Sequence, residues 1–464
     1  MPDLALCIHA HFGQPPRENP FTGTIPREPE AEPYHDYNDR VHSECYRPNA
    51  ELGNFELISF SMDPHLAHWL RTAHPITHEQ IVAADRYHRN AFGVANGLAQ
   101  TYNHTILPLA TYRDKVTQVA WGIADFGRRF GHRPAGMWLP EMAVDAETLE
   151  VLADQGLEYT ILCPHQVCCA DADPAQSCGP YYVQLAHGRR FTVYLRNEDI
   201  SNRLAFDRGF TSNANSFVHY CRATMRGDHG LLVLATDGET FGHHLPRRQY
   251  FLRSLLRSAA PGVGFRITTP AEYHATQSSL RRAELVQDTA WSCAHGISRW
   301  STGCACATGD QGWKTRLHTA LDRLAGAVDA LYQSECRRWI DHPWVLRDSY
   351  INVILAKTSG QQLLDQFSSA PIPSHDAVRL LLLLEAQRHR LAMYASDGWF
   401  FDDLSRIEVR SNLGHAALAV ELTSQATGID LTSDLRSDLA PARSWLTDET
   451  GRDLYDRVVL EREI

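Results

Sequence analysis

Long apolar runs are missing from this chain of 464 residues. No stretch approaches the ~18 consecutive apolar residues that a transmembrane helix needs, so the sequence predicts no membrane span. Positive charge is also in deficit, because 44 lysines and arginines face 55 aspartates and glutamates, for a net charge of −11. Such a surface does not favour phosphate backbones, so nucleic acid is not expected as a partner. Residues 1–9 contain no basic and no cleavable apolar segment, which favours a cytoplasmic protein.

A disulfide framework and a dinucleotide-binding fold lack support as well. The chain has 11 cysteines, an odd number, and some of them, such as Cys7 and Cys163, lie inside apolar runs typical of a core. No G-x-G-x-x-G fingerprint follows the first predicted strand, and we predict no cofactor. The 24 histidines do not select a function by number alone, because histidine serves as ligand, acid, base or hydrogen-bond donor.

Short apolar runs alternate with amphipathic helical patterns in the first part of the chain. This alternation predicts βαβ units and a parallel sheet, and a closed (β/α) barrel is favoured over an open sheet. A hairpin is predicted at 181–195, and the polar, proline-rich segments 15–48 and 166–179 are predicted to be long loops. The predicted strands lie at 4–9, 57–60, 137–139, 159–163 and 230–236, and the predicted helices at 78–97, 113–130, 145–155 and 213–226.

Strand patterns become rare in the last third of the chain. Helical patterns follow one another at 318–334, 349–366, 375–396 and 412–426, and the five leucines at 380–384 mark a buried helix. We therefore predict a catalytic (β/α) barrel over 1–285 and a C-terminal α-helical domain over 286–464. A loop rich in cysteine and tryptophan is predicted at 291–313.

Two motifs place an acidic residue directly after a predicted strand. The first is Gly-Met-Trp-Leu-Pro-Glu, ending at Glu141, and the second is Thr-Asp-Gly-Glu-Thr-Phe-Gly-His-His, with Asp237 as its aspartate. Carboxylates at the carboxyl ends of barrel strands lie where such barrels place their chemistry, and two of them can cleave a glycosidic bond. A glycine beside Asp237 would let a ligand approach closely. The alternative is that both acids cap the helices that follow them.

The wording and order of these motifs resemble glycoside hydrolase family 57. The first strand ends in His9-Ala10-His11, which is similar to the family's N-terminal His-x-His block. The resemblance implies a (β/α)7 barrel followed by helices, with Glu141 as nucleophile and Asp237 as proton donor of a retaining glycoside hydrolase. That family includes α-amylase-like, 4-α-glucanotransferase and branching enzymes, so α-linked oligo- or polysaccharides are the implied substrates. In a retaining enzyme the two carboxyl groups would lie about 5–6 Å apart.

Two departures from the family pattern indicate a divergent branch. The second motif continues with His244-Leu245-Pro246 where glucan-active members have aromatic residues. The first block reads His-Ala-His-Phe-Gly-Gln-Pro-Pro instead of His-x-His-Gln-Pro. The reaction class is therefore better supported than the sugar or its linkage. The sequence also leaves open whether water or a second sugar accepts the glycosyl group, and which oligomeric state the protein adopts.

Five residues are predicted to contact the substrate. They are His9, His11, His104, Trp138 and His243. His9 and His11 alternate along a strand and so point the same way, while Trp138 could stack on a sugar ring. A metal-dependent carbohydrate deacetylase is the runner-up, in which His9, His11, His104 and Asp237 could bind a metal ion that activates water. Since no His-x3–5-His pair accompanies an aspartate, we predict no metal in the active site.

The predicted loop at 291–313 places three thiols and one imidazole close together in sequence. They belong to Cys293, His295, Cys304 and Cys306, residue types that suit zinc. The spacings Cys-x-His and Cys-x-Cys differ from the usual zinc knuckle. A loop that closes over a sugar site and a plain structural loop are therefore kept as alternatives.

Overall fold

The computed structural model describes residues 3–169, 179–225, 229–276 and 280–463. The chain forms two compact units, each built from separate stretches of sequence. The first unit comprises Met1–Gln14, Arg27–Thr101 and Phe126–Ser292, and the second comprises Pro15–Pro26, Tyr102–Asp125 and Cys293–Ile464. The domain boundary expected after residue 285 stays a prediction.

The strands of the described residues all belong to the first unit. Their two long members carry unbroken apolar runs that are buried on both faces, as central parallel strands require. In chain order the strands are β1 (Asp3–Phe12), β2 (Ser59–Met62), β3 (Gly97–Gln100), β4 (Met137–Trp138), β5 (Tyr159–Leu162), β6 (Val167–Cys168), β7 (Pro180–Gln184), β8 (Arg190–Leu195), β9 (His229–Asp237), β10 (Phe265–Ile267) and β11 (Arg281–Leu285).

Seven of these strands form a closed parallel ring. Strand β1 pairs with β2, β2 with β3, β3 with β4, β5 with β8, and β9 with β1, all parallel. Single parallel bridges complete the circle, one from Gly136 to Tyr159 between β4 and β5, and one from Arg196 to Val233 between β8 and β9. The predicted α/β class with a (β/α)7-type barrel and a helical C-terminal region is confirmed.

The remaining strands extend the barrel without entering the ring. Strand β10 pairs with the start of β1, over Leu4 to Leu6. Strands β7 and β8 form the hairpin that the sequence predicted, antiparallel and joined through the turn at Ala186–Gly188. Strand β11 adds to β7 in parallel and to β6 in antiparallel orientation.

The helices alternate with the strands in the first unit and dominate the second. In chain order they are α1 (Tyr37–Val41), α2 (Arg47–Glu51), α3 (Pro64–Ala73), α4 (Pro75–Phe92), α5 (Tyr112–Phe130), α6 (Ala146–Asp154), α7 (Glu198–Phe206), α8 (Ala214–Thr224), α9 (Arg248–Ser254), α10 (Ala260–Gly262), α11 (Pro270–Thr276), α12 (Ser298–Ser301), α13 (Gly312–Cys336), α14 (Pro343–Ser349), α15 (Ile351–Ile354), α16 (Gly360–Phe367), α17 (Ser374–Ala392), α18 (Asp397–Phe400), α19 (Ile407–Thr427), α20 (Thr432–Leu439) and α21 (Gly451–Leu460).

In the second unit, α17 packs against α13 and α19 and supplies much of the apolar core. Of its five consecutive leucines, Leu380, Leu383 and Leu384 are fully buried, as helical spacing requires. None of the helices in the described ranges is long and apolar enough to cross a membrane. The cytoplasmic location stays a prediction.

Several predicted boundaries differ from the structure, such as the predicted helix at 349–366, which is divided into α15 and α16. Segment 15–48, expected to be a loop, contains α1 and the start of α2, because the Asp36 side chain accepts a hydrogen bond from the Asp39 N–H and caps α1. Helix α4 ends at Phe92 instead of 97, since Gly93 adopts a φ of 78° and ends it. Most of the predicted loop at 166–179 lies outside the described residues.

Candidate active site

The register of β1 and β9 brings the His9-Ala10-His11 block next to the motif that contains Asp237. His11 is paired with Asp237 on β9 and with Ser61 on β2. Two strands further along the ring from β1, Gln100 on β3 is paired with Trp138 on β4. The carboxyl ends of parallel strands share one edge of the barrel, so the segments that follow β1, β4 and β9 meet there.

Glu141 lies just after β4, held in an uncommon backbone conformation. Its φ of 57° lies in the left-handed region, which costs roughly 1 kcal/mol for a residue with a side chain. The Trp291 N–H donates to the Glu141 carbonyl at 2.9 Å and fixes this turn. The carboxylate is fixed as well, because its Oε2 accepts from Trp291 Nε1 at 2.9 Å and from Ser292 Oγ at 2.6 Å. Both donors suit the charged carboxylate.

Asp237 lies at the end of β9 in surroundings that favour its protonated form. Burial and the nearby Glu141 carboxylate raise the pKa of Asp237 to about 7, and the Arg196 guanidinium opposes this shift. The expected separation of about 5–6 Å between the two carboxyl groups stays a prediction. The raised pKa lets Asp237 keep a proton nearer to neutral pH than an ordinary carboxyl group does.

A third carboxyl group, Glu239, follows two residues later and was missed by the sequence reasoning. Its Oε1 accepts from the Tyr46 hydroxyl at 2.6 Å and from the Gly13 N–H at 3.2 Å. Burial, with a smaller contribution from Asp237, raises the pKa of Glu239 to about 8. The alternation Asp-x-Glu at the end of a strand was the available signal.

Arg196 is a buried cation beside Asp237. It donates to Cys163 Sγ at 3.0 Å, to the Ala235 carbonyl at 3.1 Å and to Asn202 Oδ1 at 3.0 Å. Its guanidinium also lies over the Trp291 ring, 5.2 Å from the ring centroid. These contacts fix the one positive charge that lowers the pKa of Asp237.

Trp138 occupies a different place from the one the sequence predicted. The side chain is 0% exposed, His9 and His11 stack on it at 4.8 and 5.1 Å, and Trp291 meets it edge-on at 5.3 Å. A ring covered in this way has no face for a sugar. We therefore correct its expected role from substrate stacking to support of the residues around Glu141.

His9 also supports the site from within the core. Its Nδ1 shares a hydrogen bond with Ser59 Oγ at 2.9 Å and its Nε2 shares one with Ser61 Oγ at 3.2 Å. Burial lowers the pKa of His9 to about 3, so the ring is neutral. Because both nitrogens are engaged, His9 is corrected from a substrate contact to a core residue.

The other predicted contact residues lie in three settings. His11 is buried next to His9, and its Nδ1 accepts from Gln100 Nε2 at 3.0 Å. His243 is half-buried in the first unit and donates from Nδ1 to Glu44 Oε2 at 2.5 Å. His104 belongs to the second unit, where its Nδ1 shares a hydrogen bond of 2.8 Å with Ser396 Oγ. Their roles toward substrate stay predictions.

Gly238, beside Asp237, is needed for packing. A Cβ atom at this position would lie 2.3 Å from the ring of Phe12. The sequence suggested that this glycine lets a ligand approach closely, but the space is already filled by the Phe12 side chain.

Family models match two separate parts of the chain. Residues 93–285 match the model described as glycosyl hydrolase family 57, a range that contains both Glu141 and Asp237. Residues 310–464 match a domain of unknown function, DUF3536. The segment that carries the candidate site is thus similar to glycoside hydrolase family 57.

Curated and solved proteins are similar to parts or all of the chain. Alpha-amylase 1 of Dictyoglomus thermophilum is 23% identical over 209 residues, which cover 44% of this chain and 29% of that protein. The chain therefore spans less than a third of that relative. An exo-type maltose-forming amylase from Pyrococcus sp. ST04 has a similar structure, with 14% identity, 99% of this chain and 88% of that chain covered, and a TM-score of 0.75.

A second solved structure supports the same fold. It is the family 57-type branching enzyme of Pyrococcus horikoshii, with 14% identity, 99% of this chain and 94% of that chain covered, and a TM-score of 0.62. At such low identity these two structures establish the fold of the chain and leave its reaction to be argued from the residues of the site.

Proposed function

We propose that the protein is a retaining glycoside hydrolase or transglycosidase acting on α-linked oligo- or polysaccharides. Glu141 is the proposed nucleophile and Asp237 the proposed acid and base. The observation that carries this proposal is the contrast between the two carboxyl groups. Glu141 receives two hydrogen bonds that suit its charged form, while the pKa of Asp237 is raised to about 7.

In the first step an oxygen of Glu141 attacks the anomeric carbon of the bound sugar. The bond from that carbon to the glycosidic oxygen breaks, and Asp237 gives its proton to the departing oxygen. The products are a glycosyl ester on Glu141, an ionised Asp237 and the free leaving sugar. Because the leaving oxygen departs as a hydroxyl, no alkoxide forms.

In the second step Asp237 acts as a base. It takes a proton from water or from a sugar hydroxyl, the oxygen of that group attacks the anomeric carbon, and the ester bond to Glu141 breaks. Two inversions at the anomeric carbon leave the α configuration unchanged. Water gives hydrolysis, and a sugar hydroxyl gives transfer, so the reaction outcome depends on which acceptor occupies the site.

The electrostatics of the site support this change of role. The negative charge of Glu141 is one of the two causes that raise the pKa of Asp237. Once Glu141 becomes an ester that charge is lost, and the pKa of Asp237 must fall while Arg196 still opposes protonation. The same aspartate is therefore a better acid before the ester forms and a better base afterwards.

An α-glucan is the proposed substrate class. The relatives are named as amylases and a branching enzyme, and the reaction residues of this chain lie within the matched family segment. The second motif departs from the family pattern at His244-Leu245-Pro246. We expect this departure to change which sugars the chain accepts.

The test is azide rescue with an aryl α-glucoside and a series of malto-oligosaccharides. Glu141→Ala should lower kcat by about 10³-fold or more, and azide should then yield a β-glucosyl azide because it attacks in place of the nucleophile. Asp237→Ala with azide should yield an α-glucosyl azide, since azide then attacks the ester on Glu141.

Glu147→Ala is the matched control, an exposed glutamate of α6 whose loss should leave kcat unchanged. Full activity of Glu141→Ala, or azide products of the same configuration from both variants, would contradict the assignment of the two roles.

A further inference from the structure

Three thiols and one imidazole of the second unit lie close together at the start of its last segment, Cys293–Ile464. They belong to Cys293, His295, Cys304 and Cys306. One potential ligand atom from each side chain lies within 4.8 Å of every other. The sequence motifs Cys-x-His and Cys-x-Cys thus meet in space, although α12 separates them along the chain.

Three of the distances between these atoms are close to the edges of a tetrahedron around one metal ion. Sγ of Cys293 lies 3.5 Å from Sγ of Cys304 and 3.8 Å from Nδ1 of His295, and Sγ of Cys306 lies 3.4 Å from the same nitrogen. A zinc ion with Zn–S bonds of about 2.3 Å and a Zn–N bond of about 2.0–2.1 Å has tetrahedron edges of about 3.6–3.8 Å. The four atoms are thus already spaced as ligands.

The backbone of the loop holds the two ligand pairs in this arrangement. Gly296 and Gly303 have φ values of 63° and 87°, which glycine adopts at little cost, so the chain can reverse just after the first pair and just before the second. The Gly296 N–H donates to the Cys293 carbonyl at 3.0 Å, and the Ala307 N–H donates to the Cys304 carbonyl at 3.1 Å. The first hydrogen bond closes a turn over residues 293–296 and the second closes one over residues 304–307, so each ligand pair lies in a closed turn.

The charge around the cluster also suits a metal thiolate centre. Three thiolates and a neutral imidazole around Zn²⁺ leave one net negative charge. The Arg299 guanidinium lies near enough to act electrostatically on Cys304, and its positive charge offsets that of the centre.

We propose that Cys293, His295, Cys304 and Cys306 form a structural zinc site. Four protein ligands leave no open position, which is typical of a structural centre and not of a catalytic one. The Cys₃His set favours zinc over magnesium or calcium, which prefer oxygen ligands, and over cubane iron–sulfur clusters, which require four cysteines. The ion would fasten the loop from 293 to 306 in the second unit.

The test measures metal bound by the full chain purified without a metal-affinity step. Elemental analysis should find about one zinc per chain, and replacement by cobalt should give the intense visible bands and thiolate charge-transfer bands of tetrahedral Co²⁺. Cys304→Ser and Cys306→Ser should each lower zinc content severalfold and weaken the charge-transfer bands. Cys168→Ser, the loss of an exposed thiol outside the cluster, should change neither.

Three results would overturn the proposal. The first is protein that folds, by circular dichroism, but retains no zinc after supply during expression. The second is zinc content that is the same in Cys304→Ser, Cys306→Ser and wild type. The third is a Cys293–Cys304 disulfide, found by peptide mapping in freshly prepared protein, as the sole state of these thiols. None of these readouts depends on glycosidase activity, so the zinc site is tested separately from the proposed function.

Discussion

Glu141 and Asp237 are the same kind of group at equivalent places in the barrel, yet their surroundings differ. Glu141 follows the short strand β4, and its carboxylate accepts hydrogen bonds from Trp291 and Ser292. Asp237 ends the long strand β9, where burial and the charge of Glu141 raise its pKa to about 7. Polar donors suit the anion at one strand end, and burial beside an anion suits the acid at the other.

The surroundings of each carboxyl group are thus supplied by neighbours from distant parts of the chain. The donors to Glu141 come from the segment after β11, and the cation that opposes protonation of Asp237 comes from the end of β8. Substituting these neighbours should therefore change the contrast between the two acids without changing the fold.

Removal of the acid should have the largest effect on this contrast. Asp237→Asn should lower kcat/KM by about 10²–10⁴-fold on malto-oligosaccharides, whose leaving oxygen needs a proton. The loss should be much smaller for the first step with a 4-nitrophenyl α-glucoside, because that leaving group departs without protonation. The measurement compares pre-steady-state and steady-state rates on both substrates. Equal losses of the first-step rate on both would contradict the acid role.

Removal of the neighbouring cation should shift the pH profile. The acid is active while protonated, so wild-type activity on malto-oligosaccharides should fall as pH rises through about 7. Arg196→Met removes a charge that lowers the pKa of Asp237, so the alkaline limb should move upward by roughly half to one pH unit. Arg196→Lys keeps the charge and should stay near the wild-type profile. A limb that moves to lower pH in Arg196→Met would contradict this arrangement.

Loss of one donor to the nucleophile should have the smallest effect. Ser292→Ala removes the 2.6 Å hydrogen bond to Glu141 and leaves that from Trp291, so kcat should fall by roughly 3- to 10-fold. Ser258→Ala, an exposed serine on the barrel unit that bonds to the Ser254 carbonyl, should leave kcat unchanged. The two variants are compared on the same aryl glucoside. Equal activity of both variants would show that Trp291 alone positions the carboxylate.

Much of the fold was predictable because local pattern and long-range pairing agree. The apolar runs that became β1, β5 and β9 are buried parallel strands, and the leucine run at 380–384 is a buried helix. The helices within 15–48 were missed, since their residues are polar and their stability comes from capping and contacts elsewhere, such as the bond from Tyr46 to Glu239. Short helices of this kind have weak periodicity in the sequence.

The sequence predicted the two acidic residues of the candidate site but not the residues that surround them. Motif wording identified Glu141 and Asp237, whereas His9 and Trp138 were expected at the sugar and are instead enclosed in the core. A histidine or tryptophan at a strand end can either face the substrate or lie in the core. Which place it takes depends on the side chains of neighbouring strands, here Ser59 and Ser61 on β2.

The amino-acid sequence alone specified the alternation of strands and helices, the two acidic strand ends and the resemblance of the barrel segment to a known family. These features follow from short-range patterns, since burial of a strand and the end of a helix are encoded in adjacent residues. The fold alone sets the raised pKa of Asp237, the covering of Trp138 and the meeting of four ligand atoms in the loop at 293–306. The pKa of a carboxyl group and the geometry of a metal site depend on distances between residues far apart in sequence, which the chain fixes only when it folds.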